Sequence, residues 1–314
     1  MGVSLSTPTL DEKIFALVDR IVCGVAFGKS YGGNQFKDQK FQEVIGKTTK
    51  MMDSLSAENF FPSVGWIVDV LTGLRGRLEK SFHNLDEYFD RVIDEHLDLK
   101  REKLEEDDFV DVLIGLLNDE ASDYCPTRDQ IKAMLLNTFI GRIDTIAVAM
   151  VWAMSEVVKT PQVMQKLQGE IRTSLGRKSE VDINDLPKLK FLKMVVKETQ
   201  RMHPPAPLLI PHETISHCKI GSDGYDVYPQ TRVLINAWAI GRDPSTWRNP
   251  NEFDPQRFEG SDVDVKSQHF ELLPLGADRK ICPSISMASS SMELLLANLC
   301  YPQQDTPLPW AHSV

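Results

Sequence analysis

FELLPLGADRKICPS, residues 270–284, is the stretch whose reading decides the fold. Pro274, Gly276, Ala277 and Asp278 make a turn-forming run that leads through Arg279 and Lys280 to Cys282. A helical pattern opens near Ser284 and runs to about Cys300. One cysteine therefore stands just before a helix N-terminus and beside two cations, and both features favour the thiolate. Backbone N–H groups of the turn can donate to the sulfur. A thiolate held this way serves as a nucleophile, a redox thiol or an axial iron ligand. A cysteine with no role fits the local sequence equally well.

The rest of the chain narrows the choice. It has 314 residues, 42% of them hydrophobic and 25% charged, enough for one large core or two domains. The net charge of −10 argues against a nucleic-acid partner. Five cysteines (23, 125, 218, 282 and 300) are scattered and odd in number, which implies a reducing compartment and no disulfide framework. No apolar run reads as long enough to span a bilayer, and no signal-peptide core is present. Met1-Gly2-Val3-Ser4-Leu5-Ser6 fits the short myristoylation pattern.

Apolar periodicity predicts helices over residues 14–27, 36–55, 76–104, 109–117, about 127–158, 162–175 and 191–202. Gly28-Lys29-Ser30 resembles the end of a phosphate loop but lacks the first glycine, since residue 23 is Cys23. The mixed charge run from Lys100 to Asp108 reads as a solvated face. The helix beginning after Thr127, a good N-cap, is apolar almost all round from Leu135 to Met154 and is expected to cross the core. His203-Pro204-Pro205 stops the helix before it. After residue 205 short strands are expected at 208–210, 227–228 and 232–235. The tail, residues 301–314, is proline-rich and without periodicity, and disorder is expected there. The fold class is thus mainly α with a minor β part.

Four residues interrupt the apolar helix: Gly141, Arg142, Asp144 and Thr145. A carboxylate and a hydroxyl there are costly unless satisfied or used. With water they make a proton relay, and at Gly141 a flat ligand can approach the backbone. A polar pair bonded to a neighbouring helix is the plainer reading. Glu198 and Arg201 sit at i and i+3, so they face the same way, and Arg257 lies in the frame Phe253-Asp254-Pro255-Gln256-Arg257-Phe258. His212, Glu213, His217 and Cys218 are metal-ligand types, but strand parity sends the two histidines to opposite faces.

In this order the pieces resemble the cytochrome P-450 family, the haem-thiolate monooxygenases, in a form truncated at both ends. The family's ordered motifs match Gly141-Arg142-Ile143-Asp144-Thr145, then Glu198-Thr199-Gln200-Arg201, then 253–258, then 275–284. RMHPPAPLLIPHE and VLINAWAIGRDPSTW look like the plant microsomal class. The resemblance covers about residues 10–299 and implies an incomplete P-450 domain over 1–300. It also implies haem b, with Cys282 as axial ligand to the iron. Asp144 and Thr145 would handle O2 and protons, and Gly141, His212, Arg279 and Lys280 would flank the haem. Glu198, Arg201 and Arg257 would form a structural triad bracing the cysteine loop.

The resemblance further implies one-oxygen insertion into a lipophilic small molecule, such as a plant terpenoid. Electrons would come from NADPH–cytochrome P-450 reductase at the cytoplasmic face of the endoplasmic reticulum membrane. The chain departs from the pattern at Leu275, Asp278, Lys280, Ser284 and Arg142. A haem-poor, inactive remnant acting as a binding module is the second reading that these departures keep open.

Overall fold

A computed structural model describes residues 9–27, 56–98, 107–117, 125–176, 178–221, 224–266 and 269–301. The readings placed on 1–8, 28–55, 99–106 and 302–314 lie outside them, including the myristoylation pattern, the 36–55 helix and the tail. The helices are α1 (Leu10–Phe27), α2 (Ala57–Phe60), α3 (Gly65–Leu71), α4 (Leu74–Leu97), α5 (Phe109–Leu117), α6 (Arg128–Lys159), α7 (Pro161–Leu175), α8 (Lys190–Met202), α9 (Ala237–Ile240) and α10 (Ile285–Cys300). Four short strands, β1 (His212–Glu213), β2 (Cys218–Ile220), β3 (Tyr225–Val227) and β4 (Arg232–Val233), pair antiparallel as β1–β4 and β2–β3. The mainly helical fold with a minor β part is thus observed.

The chain separates into two compact units, one of residues 1–15 with 144–314 and one of residues 16–143, so the division falls inside α6. In the second unit α4 buries Leu85, Tyr88, Phe89, Val92 and Ile93 on one face, the spacing of an amphipathic helix. Asp69, itself buried, accepts hydrogen bonds from Ser56 Oγ (2.6 Å) and the amides of Ala57 (2.9 Å) and Glu58 (3.1 Å), satisfying the start of α2. The start of α6 is a reciprocal cap: Gln130 N donates to Thr127 Oγ1 and Thr127 N to Gln130 Oε1. Arg128 and Lys132 of its first turns bond Asp90, and Lys132 also pairs with Asp86. Contrary to the sequence reading, α6 is long and apolar enough to cross a membrane. Ile146, Ala147, Ala149, Met150, Ala153, Met154 and Val157 are buried, and 31% of its apolar window is buried in all.

In the first unit α7, α8 and α10 pack on one another. Nearly all of α8 from Val195 on is buried. Its first turn is capped from outside: the Glu170 carboxylate accepts from the amides of Phe191 (2.8 Å) and Leu192 (3.0 Å). The α7–α8 loop is pinned to α10, with Asn298 bonding both N and O of Val181 at 3.0 Å. Its centre is Asp185, which accepts from Lys178 Nζ (2.7 Å), Lys188 Nζ (3.2 Å) and Asp182 N (3.3 Å).

Three expectations are corrected. Residues 208–210 form a turn, because Leu209 adopts φ +51°, a left-handed conformation that breaks a strand. The long charged helix ends at Leu97, where Asp98 turns to extended backbone, and residues 99–104 of the expected helix lie outside the described residues. Asp108, assigned to a solvated run, is 5% exposed.

The Lys178 ammonium holds the Asp185 carboxyl well down, at about 2 against an ordinary 3.8. A depressed folded-state value adds stability above the ordinary value, and that stability is lost as pH falls through about 2. Asp185→Asn is expected to lower the melting temperature at neutral pH by about 2–4 °C and to flatten the acid limb of a melting-temperature profile.

Candidate haem-thiolate site

The best-defined part of the site is a buried charge frame. Glu198 and Arg201 side chains are fully buried and Arg257 nearly so. Helical i,i+3 spacing lays Glu198 and Arg201 side by side in a bidentate pair, Nε to Oε2 and Nη2 to Oε1, both 2.8 Å. Arg257 Nε donates to the same Oε1 at 3.0 Å, and Asp254 N does so at 2.9 Å. The other three Arg201 N–H groups go to carbonyl oxygens of Gly241, Pro250 (2.8 Å) and Glu252 (3.3 Å). All five guanidinium donors are thereby used. Gly241 must be glycine, since a Cβ there would overlap the Arg201 carbonyl.

This frame fixes the meander 241–258. Trp247 and Phe258 from the meander form an apolar cluster with Val265 and Leu272, and Met194 of α8 and Ile285 of α10 pack on it. Leu272 lies ten residues before Cys282 and Ile285 three after it. One packed cluster thus joins α8, the meander and both sides of the cysteine loop.

The loop itself is tight. Gly276 is at φ +76° and Asp278 at φ +54°, and a short 3-10 turn runs from Asp278 to Lys280. Cys282 N donates to Leu275 O at 2.9 Å, closing the loop, and Ile285 N donates to Cys282 O at 3.2 Å at the start of α10. Cys282 is half-buried and unbridged, while Arg279 and Lys280 are exposed. One soft donor, a helix start and two adjacent cations suit a thiolate-bound macrocycle with carboxylate edges, so the residues present fit haem. Asp278 carries a Cβ in a left-handed position where glycine is free of strain.

Asp144 and Thr145 are half-buried at the first-unit end of α6. Among the described residues, a Cβ added at Gly141 would meet no atom within 4 Å beyond its own helix backbone. The Arg142 guanidinium sits over the Phe109 ring at 5.7 Å. His212 is half-buried in β1, opposite Val233. His217 bonds Asp226 at 2.8 Å, not a ligand set with His212.

Sequence reasoning passed over His203. It stacks on Trp152, centroids 3.9 Å apart, and bonds Glu156 at 3.0 Å, tying the end of α8 to α6. Burial lowers its pKa against the pull of Glu156. The His-Pro-Pro stop was read as a helix terminator, which hid this second role.

Replacing Glu198 with Ala should cost about 3–5 kcal/mol, the usual penalty for stranding a buried charge, seen as a lower denaturant midpoint. Arg201→Lys should also destabilise, because a lysine cannot supply five fixed donors. In the cysteine loop, Asp278→Val should cost about 1–2 kcal/mol for a left-handed branched residue, while Asp278→Gly should hold or raise the midpoint.

Comparison with known proteins places these features. The cytochrome P450 family model matches residues 9–300. The chain is 46% identical over 294 residues to a 2-methylbutanal oxime monooxygenase of Manihot esculenta, covering 93% of this chain and 57% of that protein. It is 49% identical to parthenolide synthase of Tanacetum parthenium, with the same coverage of both chains. A zebra fish cytochrome P450 solved with progesterone superposes with a TM-score of 0.74 at 24% identity, over 94% of this chain and 64% of that one. A second solved cytochrome P450 haem domain gives 0.75 at 13% identity, over 95% and 62%. The chain spans little more than half the length of the curated relatives it matches. By family match and relatedness, it belongs to the cytochrome P450 family, among plant relatives.

Proposed function

We propose that this chain carries the haem-thiolate core of a plant monooxygenase that inserts one oxygen atom from O2 into a lipophilic small molecule of secondary metabolism. The single observation that carries the reading is the half-buried Cys282 on a loop closed by its own amide, beside a helix start, in a chain that belongs to this family. The named relatives support the substrate class, since they are a parthenolide synthase and a 2-methylbutanal oxime monooxygenase.

When bound, haem b supplies dioxygen activation, and a thiolate ligand favours O–O cleavage. The chain's own residues hold and serve it. Cys282 would hold its iron through the thiolate. Arg279 and Lys280, exposed beside it, and His212 on β1 are the groups for the propionates. Asp144 and Thr145 hold and pass protons on the helix that carries Gly141. Glu198, Arg201 and Arg257 brace the meander, and through the Trp247 cluster they keep the cysteine loop in place. They touch no substrate and are positioning residues.

The electron donor in this reading is an NADPH–cytochrome P-450 reductase. The location is the cytoplasmic face of the endoplasmic reticulum membrane. A second reading is favoured by Asp278 at φ +54° and the exposed Lys280: the loop holds haem weakly, and the chain is an inactive fragment that binds without turnover.

The test is the full chain incubated with haemin, reduced and exposed to carbon monoxide. The proposal expects the red-shifted Soret band of thiolate-ligated iron in wild type and its loss in Cys282→Ala. Absence of that band in a folded wild-type chain supports the second reading and overturns the first.

A further inference from the structure

The segment around α3 is built inside out. Its buried positions are Gly65 and Asp69. Trp66, Ile67, Val68, Val70 and Leu71 all face solvent, Leu71 at 80% exposure. Phe60, Phe61 and Val64 before them, and Phe82 on α4, extend the exposed apolar surface. A helix on the surface of a globular protein does the reverse, hiding its apolar side chains and showing polar ones.

The exposure is not that of a loose loop. Asp69 accepts from Ser56 Oγ and from the amides of Ala57 and Glu58, which ties α3 to the start of α2. A Cβ at Gly65 would overlap the Ala57 carbonyl, so the two helices meet backbone to backbone. The small and the charged residue hold the hairpin together, and the apolar ones are left outside. At 3.6 residues per turn, the five exposed apolar positions of α3 sweep about 200° of its circumference. A single facing helix or groove covers a stripe of about 100°. The wider sweep calls for an apolar medium rather than a facing surface.

The charges alongside name the medium. From Asn59 to Leu78 the only acidic residue is Asp69, which is buried, in a chain of net charge −10. Arg75, Arg77 and Lys80 are exposed in the first two turns of α4, directly after the hairpin. Arg75 pairs with Glu79 at the surface, at 3.2 Å. An apolar tip with a cationic border suits a bilayer with anionic headgroups. In a pair of these chains meeting through this face, the same borders would set like charge against like.

We propose that the α2–α3 hairpin seats in the surface of an anionic lipid bilayer, with Ile67 and Leu71 among the acyl chains, Trp66 at the headgroup boundary and Arg77 and Lys80 at the headgroups. The proposal goes beyond the membrane location given above by naming the surface that meets lipid. It involves no haem, so its failure and the failure of the oxygenase reading are separate results.

The full chain is mixed with vesicles of phosphatidylcholine or of a phosphatidylcholine–phosphatidylserine mixture, and binding is read by flotation. A second set of the mixed vesicles carries acyl-chain bromine, which quenches tryptophan on contact. The helix α6 is apolar enough to meet lipid by itself, so the variants decide. Wild type is expected to bind the mixed vesicles more tightly than the neutral ones. The double variant Ile67→Ser and Leu71→Ser is expected to weaken binding by about tenfold or more. Trp66→Phe is expected to keep binding and lose most of the quenching. Circular dichroism checks that each variant is folded. No binding by wild type, equal binding to both vesicle types, or unchanged binding by the folded double variant overturns the proposal. A dimer in sedimentation that only the double variant dissolves, without vesicle binding, overturns it in favour of a second copy.

Discussion

Burying the Arg201 guanidinium is the constraint on which the first unit depends. An ion of that size is stable inside a protein only when its charge is paired and every donor is satisfied. Glu198 neutralises it through two hydrogen bonds, and three backbone carbonyls from 241–252 take the remaining donors. Those carbonyls belong to a segment with little regular structure of its own. The cation therefore organises the meander, and the meander carries Trp247 and Phe258 into the cluster that flanks the cysteine loop. Glu198 also accepts from Arg257 and the Asp254 amide, so the carboxylate holds the end of the segment while Arg201 holds its start at Gly241. A charge that would be a liability in isolation gives the loop a fixed floor.

What the sequence made legible follows from periodicity and local chemistry. The boundaries of α6, α7 and α8 followed from caps and prolines at Thr127, Pro161 and His203-Pro204. Glu198 and Arg201 were paired by helical spacing alone. Their carbonyl partners were not legible, because a backbone acceptor leaves no mark on residue identity. The same blindness hid Glu170, whose partners at the start of α8 are backbone amides. Residues 208–210 misled because three apolar residues suggest a buried strand, while the left-handed Leu209 instead closes a turn by donating to the Ala206 carbonyl. Asp108 misled for the opposite reason: it closes a charged run yet is drawn inside by a helix cap and a histidine twelve residues away.

The cysteine loop shows where family resemblance and local physics pull apart. The sequence marked Asp278 as a departure at a position where glycine is permissive, and the backbone there is left-handed. Asp is among the residues that tolerate this conformation, because its short side chain can bond locally. The loop thus keeps its closure at Cys282 N and Leu275 O while carrying some strain. The frame beneath it is complete, so under the proposed function the affinity for haem would rest on the residues of the loop itself.

The central claim is that Cys282 is presented to iron by this frame. X-ray absorption at the iron edge of the haem-reconstituted chain tests it most directly. The account predicts a sulfur scatterer in the first shell of the iron in wild type and its absence in Cys282→Ala. A first shell of nitrogen and oxygen alone in wild type would contradict it.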